Sequence, residues 1–176
     1  MKYLLLILFI CINLILAQGS ILMVGGGGEN YGAWSDEPYG WFVEKAGYGK
    51  IINIDVDEAS DWYPTYFESL GASITSYNLQ IATVAEANSF TVYQELLSAD
   101  GIFIEGGDQW DYISTWKNTY VQSAIQSVYV NGGVIGGTSA GLAVLGEVVF
   151  DGEHGSLTSD QAAYNPYHYR VSMTDD

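Results

Sequence analysis

The run Gly133-Val134-Ile135-Gly136-Gly137-Thr138-Ser139-Ala140-Gly141-Leu142-Ala143-Val144-Leu145 joins a short apolar stretch to a helix-compatible one through a turn of small residues. Within it lies G-x-S-x-G, Gly137 to Gly141, in the strand, turn and helix context in which this pattern forms a nucleophile elbow. The order of residues has a physical reason. A sharp turn lifts the Ser139 hydroxyl above a sheet, and the flanking glycines permit a strained backbone and a close helix-to-strand approach. The helix that follows starts with unpaired backbone N–H groups, and that of Ala140 is placed to stabilise an oxyanion. Glycine-rich turns between strand and helix also hold phosphates, so the pattern alone is a weak signal.

Working outward, the chain alternates short apolar runs with longer amphipathic ones, which predicts a parallel sheet covered by helices. The expected strands are Ile21–Val24, Lys50–Asp55, Ser73–Tyr77, Gly101–Glu105 and Gly133–Gly136. Most end in Gly, Asp or Glu, which suits the carboxyl edge of an open sheet, where ligand crevices form. Asp61-Trp62-Tyr63-Pro64 predicts a helix start with an acidic cap and an early proline, and Leu70-Gly71 its end. Phe90, Val92, Tyr93, Leu96 and Leu97 recur at helical spacing. A single helix is expected from Gln109 to Tyr129, carrying Tyr112, Ile113, Trp116, Tyr120, Ala124 and Val128 on one side and stopped by Asn131-Gly132-Gly133. These aromatic stripes read as core. From Asp151 to Asp176 the sequence is polar and tyrosine-rich, with neither a closing strand nor a helix in its pattern.

The N-terminus reads differently. Lys2, the apolar run Tyr3 to Leu16 and the small Ala17 predict a secretory signal peptide over residues 1–17, followed by one domain over 18–176 and a secreted or periplasmic location. The run is shorter than the ~20 residues that span a bilayer, so no stable membrane insertion is expected after cleavage. Cys11, the one cysteine, leaves with this peptide, and no disulfide is then available. The 176 residues hold 5 basic and 21 acidic side chains, a net charge of −16 that loss of Lys2 takes to −17. Without a basic stripe to neutralise phosphates, nucleic-acid binding is excluded. The acidity favours solubility, and it also attracts cationic substrates.

Two further glycine motifs follow strands. Glu105-Gly106-Gly107-Asp108-Gln109 lets backbone approach a ligand closely: the Gly107 N–H would supply a second oxyanion donor, and Gln109 would face the crevice of Ser139. The same letters also fit a tight connection with Asp108 as a helix cap. Val24-Gly25-Gly26-Gly27-Gly28-Glu29 lacks the third glycine of a G-x-G-x-x-G frame, where Asn30 or Tyr31 stands, so a nucleotide loop is a poor reading and a wall of the serine crevice a better one. Neither metal nor organic cofactor is expected, since no His and Cys spacing suits zinc.

Together these three motifs resemble the cyanophycinase and dipeptidase E type of serine peptidase, over most of Ile21 to Arg170. The resemblance implies an α/β fold, a flavodoxin-like three-layer sandwich with a mostly parallel sheet, similar to class I glutamine amidotransferases. It implies Ser139 as nucleophile, an oxyanion hole from the backbone of Gly107 and Ala140, a substrate contact from Gln109, and cleavage of peptides next to aspartate, including an arginine-bearing aspartate polymer. The expected partner is thus a peptide substrate, and a homodimer is compatible with the reading. Amidotransferase chemistry itself is excluded because the elbow carries serine where that reaction needs cysteine.

A serine hydroxyl also needs a base. Only His154, in Asp151-Gly152-Glu153-His154-Gly155, and His168, in Asn165-Pro166-Tyr167-His168-Tyr169, are available. Neither matches the family's base, a histidine in a motif like Asp/Thr-Gln/Thr-His-Phe followed by arginines, so the resemblance implies a base beyond Asp176 and a chain that is a fragment. His154 is the first alternative and His168 the second, with Glu153, or failing it Asp160, as the acid that orients the base. A catalytically silent module that binds peptide or another ligand in the same crevice is the competing reading.

Overall fold

The computed structural model describes residues 19–57 and 60–175. The signal peptide expected over residues 1–17, Cys11 included, lies outside them. The elements are β1 (Ser20–Val24), α1 (Asp36–Lys45), β2 (Ile51–Asp55), α2 (Trp62–Ser69), β3 (Tyr77–Gln80), α3 (Val84–Ala87), α4 (Phe90–Leu97), β4 (Gly101–Ile104), α5 (Gln109–Trp116), α6 (Tyr120–Val130), β5 (Val134–Thr138), α7 (Ala140–Ala143), β6 (Val148–Phe150), α8 (Ser159–Tyr164) and β7 (Met173–Asp175). Five strands form one sheet in the order β1-β5-β4-β2-β3, every pair parallel. This is the expected three-layer α/β sandwich of flavodoxin-like type. Because all five strands run the same way, their carboxyl ends share one edge, and the residues after β1, β2, β4 and β5 meet there.

Central strands β2, β4 and β5 are buried along their whole length, as their apolar sequences require of a sheet covered on both faces. On one face α1 and α2 bring Tyr39, Phe42, Tyr63, Tyr66 and Phe67 against Phe103 of β4. Tyr39, Phe42, Tyr63 and Phe67 meet the Phe103 ring edge-on or tilted, Phe42 at 5.6 Å and 74°, an arrangement that aromatic quadrupoles favour. On the other face Leu96, Tyr112, Trp116, Val121, Ala124 and Val128 of α4, α5 and α6 cover Ile52, Ile54, Ile102, Ile104 and Ile135. The connections from β1 to β2 and from β2 to β3 thus carry α1 and α2 on one face, and those from β3 to β4 and from β4 to β5 carry α4, α5 and α6 on the other.

Four expectations need correction. The third strand is Tyr77–Gln80, not Ser73–Tyr77: Ser73 to Ser76 closes a turn through Ser76 N–H to Ser73 C=O at 3.0 Å, and the Ser76 hydroxyl accepts from Ile51 N–H at 3.0 Å. The helix expected from Gln109 to Tyr129 is two helices. It breaks at Lys117-Asn118-Thr119, where Asn118 takes φ 59° and Thr119 restarts the helix by accepting from Val121 N–H at 3.2 Å. Asp61 stands at the start of α2 but makes no side-chain cap bond. Finally, the tail has regular structure: α8 opens on a capping box of Thr158 and Gln161, and β7 pairs antiparallel with β6 as a separate two-stranded sheet. α1, with two acidic residues in its first turn and Lys45 in its last, was legible from its end charges but is absent from the periodicity reading.

Candidate active site

The elbow forms as expected. β5 ends at Thr138, Ser139 takes φ 52° and ψ −115°, and the single turn α7 begins at Ala140. A non-glycine residue in that conformation costs of the order of 1–3 kcal/mol and persists only where its surroundings impose it. They do so here: Ser139 N–H donates to Val24 C=O at 3.1 Å, tying the elbow to the end of β1, and Ala143 N–H donates to Ser139 C=O at 3.1 Å. A Cβ on Gly137 would overlap the Gly141 carbonyl, and one on Gly141 would overlap the carbonyls of Ile104 and Glu105, so only glycine permits α7 to lie this close to β4 and β5. Ser139 is exposed at the apex while Thr138 and Ala140 are buried.

Two glycine loops flank the hydroxyl. A Cβ at Gly26 would stand 3.1 Å from Ser139 Oγ, and one at Gly106 would stand 3.2 Å from Ser139 Cβ. Both loops therefore wall the serine crevice, as their sequences suggested. Among the described residues the N–H groups of Ala140 and Gly107 have no hydrogen-bond acceptor, which leaves them available to an incoming oxyanion. Asp108 caps α5 by accepting from Trp110 N–H at 2.9 Å, so capping and the glycine crevice coexist in one segment.

Gln109 has a different partner from the crevice: its amide nitrogen donates to Phe150 C=O at 3.2 Å, and it lies against Gly152, which has φ 74°. This contact anchors the segment that carries the two candidate partners of the serine. Asp151 is buried and accepts from Glu153 N–H at 3.0 Å and from the hydroxyls of Ser172 and Thr174 at 2.9 Å each. Burial alone would raise its pKa, but these donors, with His154 nearby, hold it below the ordinary carboxylate range. Beyond Gly152, Glu153 and His154 are about half exposed and face each other, Oε2 to Nε2 at 3.9 Å. Neither histidine hydrogen-bonds Ser139 among the described residues. The His168 Nδ1 accepts from Arg170 N–H at 3.2 Å and its ring stacks on Tyr169 at 4.7 Å. Asp160 lies exposed in the first turn of α8.

Beneath the elbow, on the side of α1 and α2, the same edge holds a nest of polar groups that the sequence reading did not assign. Glu29 Oε1 accepts from Tyr39 OH at 2.7 Å and from Thr138 Oγ1 at 3.1 Å. Glu105 accepts from Asn53 Nδ2, which also donates to Asn78 Oδ1 at 2.5 Å, and Asn53 Oδ1 is buried with no partner among the described residues. Burial pushes the Glu105 carboxyl up to about 7; the Asn53 donor opposes this, and the charges of Asp55 and Glu29 add to it. Burial likewise raises Asp55, despite the N–H of Asp57 and the hydroxyl of Tyr112, whose OH reaches Asp55 Oδ1 at 3.2 Å. The sequence signal for this nest was the polar strand ends themselves: Asp55 closes β2, Glu105 directly follows β4, and Asn53 is a polar residue inside a largely apolar strand. Among the described residues no group of His, Cys, Asp and Glu is arranged to hold a metal ion, and no helix is long and apolar enough to cross a membrane.

Comparison with known proteins matches residues 54–165 to the sequence model of peptidase family S51. Among solved structures, a peptidase from an acI-B1 Actinobacterium superposes with a TM-score of 0.62 at 23% identity, covering 75% of this chain and 58% of its own. A putative peptidase E protein from Listeria monocytogenes EGD-e gives 0.47 at 21% identity, with 61% and 55% covered. The chain thus spans 58% of the length of the first of these. No curated protein matches the sequence.

Proposed function

The chain belongs to peptidase family S51, and from that premise we propose that it is a serine-type peptidase acting through an acyl-enzyme on Ser139. The observation that carries this is the elbow: an exposed serine with φ 52° at the carboxyl edge of a parallel sheet, walled by Gly26 and Gly106 and followed by an Ala140 N–H that has no acceptor among the described residues. In the proposed reaction Ser139 Oγ loses its proton to a base and attacks the peptide carbonyl carbon. The Ala140 and Gly107 N–H groups hold the resulting oxyanion. Collapse expels the amine, which takes up a proton from the base, and water then hydrolyses the ester.

The base is either His154, carried to Ser139 by movement of the loop 152–155, or a histidine from a longer form of the chain. That the chain spans 58% of a solved peptidase of this fold supports the second source. The substrate reading is a peptide cut next to aspartate, in the manner of cyanophycinase, with arginine-bearing side chains drawn by the charge of −16. Secretion completes the proposal, on the strength of residues 1–17 alone.

That neither histidine hydrogen-bonds Ser139 among the described residues favours one other reading, a module that binds peptide in the crevice without cleaving it. Labelling with a fluorophosphonate, in the longest natural form of the protein, separates the two. Covalent modification that disappears in Ser139→Ala supports the peptidase, and absence of labelling in the unaltered protein supports the binding module. Loss of labelling in His154→Ala identifies that histidine as the base.

A further inference from the structure

Glu29 occupies a place that the proposed chemistry leaves unused. It ends the loop Gly25-Gly26-Gly27-Gly28, and its carboxylate reaches two buried hydroxyls from different parts of the fold: Tyr39 on α1, fully buried, and Thr138, the residue before the nucleophile. Charge-assisted hydrogen bonds from hydroxyls to a carboxylate are short and strong, and the 2.7 Å from Tyr39 is in that class. The contact spans 109 residues between Glu29 and Thr138. The glycines themselves contribute little to placing that loop over Ser139, because they have no side chains to pack, and a Cβ on Gly25, Gly27 or Gly28 would meet open space.

The segment beyond Glu29 is built to hold this carboxylate in place. Asn30 exchanges two hydrogen bonds with the Ser35 hydroxyl, N–H to Oγ at 3.2 Å and Oγ to C=O at 2.9 Å; Ser35 Oγ in turn accepts from Tyr66 OH at 2.9 Å. Gly32 N–H donates to Asp36 at 2.9 Å, and the Trp34 indole donates back to Gly28 C=O at 3.3 Å. The loop is thus fixed at its far end to α1 and α2. At its near end, among the described residues, Glu29 supplies the side-chain link to the elbow, beside the β1–β5 ladder that pairs Val24 with Thr138, the Ser139 N–H to Val24 bond and a long Thr138 hydroxyl contact to Gly25 C=O at 3.5 Å.

We propose that Glu29 is a positioning residue for Ser139: its carboxylate, held between Tyr39 and Thr138, sets the Gly25–Gly28 wall against the nucleophile's hydroxyl and so fixes the space in which the attacked carbonyl sits. The proposal rests on the reading of Ser139 as nucleophile. It assigns no proton transfer to Glu29, which acts through hydrogen-bond geometry alone. A glutamine, whose Oε1 accepts the same two hydroxyl bonds, should therefore serve nearly as well, whereas alanine should not.

The test is the rate of fluorophosphonate labelling in the longest natural form of the protein, resolved into maximal rate and half-saturating concentration, for the unaltered chain, Glu29→Gln, Glu29→Ala, Thr138→Val and Ser139→Ala. Glu29→Ala should lower the maximal rate roughly 10- to 100-fold, as a misplacement of about 1 Å does, and leave the half-saturating concentration within about 2-fold. Glu29→Gln should restore it to within about 3-fold of the unaltered chain, and Thr138→Val should fall between, which keeps the test decisive if Glu29→Ala does not fold. Faster amide exchange over 25–28 in Glu29→Ala, and not in Glu29→Gln, is expected alongside. Equal labelling of Glu29→Ala and the unaltered chain would overturn the proposal and leave the nucleophile standing, as would a Glu29→Gln variant as slow as Glu29→Ala. Equal labelling of Ser139→Ala would overturn the nucleophile, and this proposal with it.

Discussion

Replacing Glu105 by glutamine should make the protein more stable at pH 8 and leave it nearly unchanged at pH 4. Glu105 stands at the end of β4, its carboxyl turned into the nest of Asn53, Asp55 and Glu29, and burial pushes it up to about 7 from an ordinary 4.5. The neutral acid is therefore the form that the fold prefers. Between those two values the folded chain keeps a proton that the unfolded chain has released, so stability falls as pH rises through the window from 4.5 to 7 and stays at its reduced level above it. Below 4.5 both states hold the proton and the effect vanishes. The difference corresponds to at most about 3.4 kcal/mol, and because a good part of the group faces solvent, screening reduces it to ~1–2 kcal/mol. Glutamine retains the oxygen that accepts from Asn53 Nδ2 and brings a donor, as the protonated acid does, into a nest where Asn53 Oδ1 has no partner among the described residues. Urea unfolding of both proteins at pH 4 and pH 8 reads the effect: the gain from Glu105→Gln should be near zero at pH 4 and ~1–2 kcal/mol at pH 8, with m unchanged. Asp151 is lowered in both proteins alike and cancels in the comparison, whereas the charge of Asp55 helps to raise Glu105, so relief of that repulsion is part of the gain read at pH 8. A gain that is the same at both pH values would refute the reasoning, since it would show that the carboxyl is equally ionised in folded and unfolded chains.

Other consequences follow from the same edge of the sheet. Ser139→Gly should be more stable than Ser139→Ala by about 1 kcal/mol, because only glycine adopts φ 52° and ψ −115° without strain, and equal urea midpoints would contradict an imposed elbow. Gly141→Ala should destabilise by about 2–3 kcal/mol through overlap with the Ile104 and Glu105 carbonyls, whereas Gly40→Ala in α1, where a Cβ meets open space, should stabilise by about 0.5–1 kcal/mol. Thermal unfolding measures both, and a mild Gly141→Ala would show that α7 can lift off the sheet. If the −16 charge steers cationic substrates, raising salt from about 0.05 to 0.5 M should lower kcat/KM for an arginine-bearing peptide several-fold more than for a neutral analogue. An unchanged ratio would end that idea.

Much of this architecture is written in local pattern. Four of the five parallel strands lie where apolar runs predicted them: β2, β4 and β5 because a strand buried on both faces is largely apolar and bounded by polar or glycine ends, and the edge strand β1 because its short apolar run stops at the glycines. The elbow was legible for the same reason: its constraints act over the few residues from Gly137 to Gly141. The third strand was misplaced because Ser73 to Ser76 is as rich in β-branched and hydroxyl residues as a strand, and only pairing with β2 selects Tyr77–Gln80. The break at Asn118 was invisible to periodicity because the apolar side continues across it from Trp116 to Val121, and both of those residues are buried.

What the tertiary structure alone decided is which distant groups meet. The order β1-β5-β4-β2-β3 places the end of β1 beside the elbow, so that Gly26, more than a hundred residues earlier in the chain, touches Ser139. The same order brings Asn53 to Glu105 and Glu29 to Thr138, while the pairing of β6 with β7 buries Asp151 and orients the loop that carries Glu153 and His154. Spacing along the chain reports only the side chains that one helix or strand presents together. A carboxylate's pKa and a nucleophile's surroundings depend on burial and on neighbours from other strands, and those exist only once the sheet has closed.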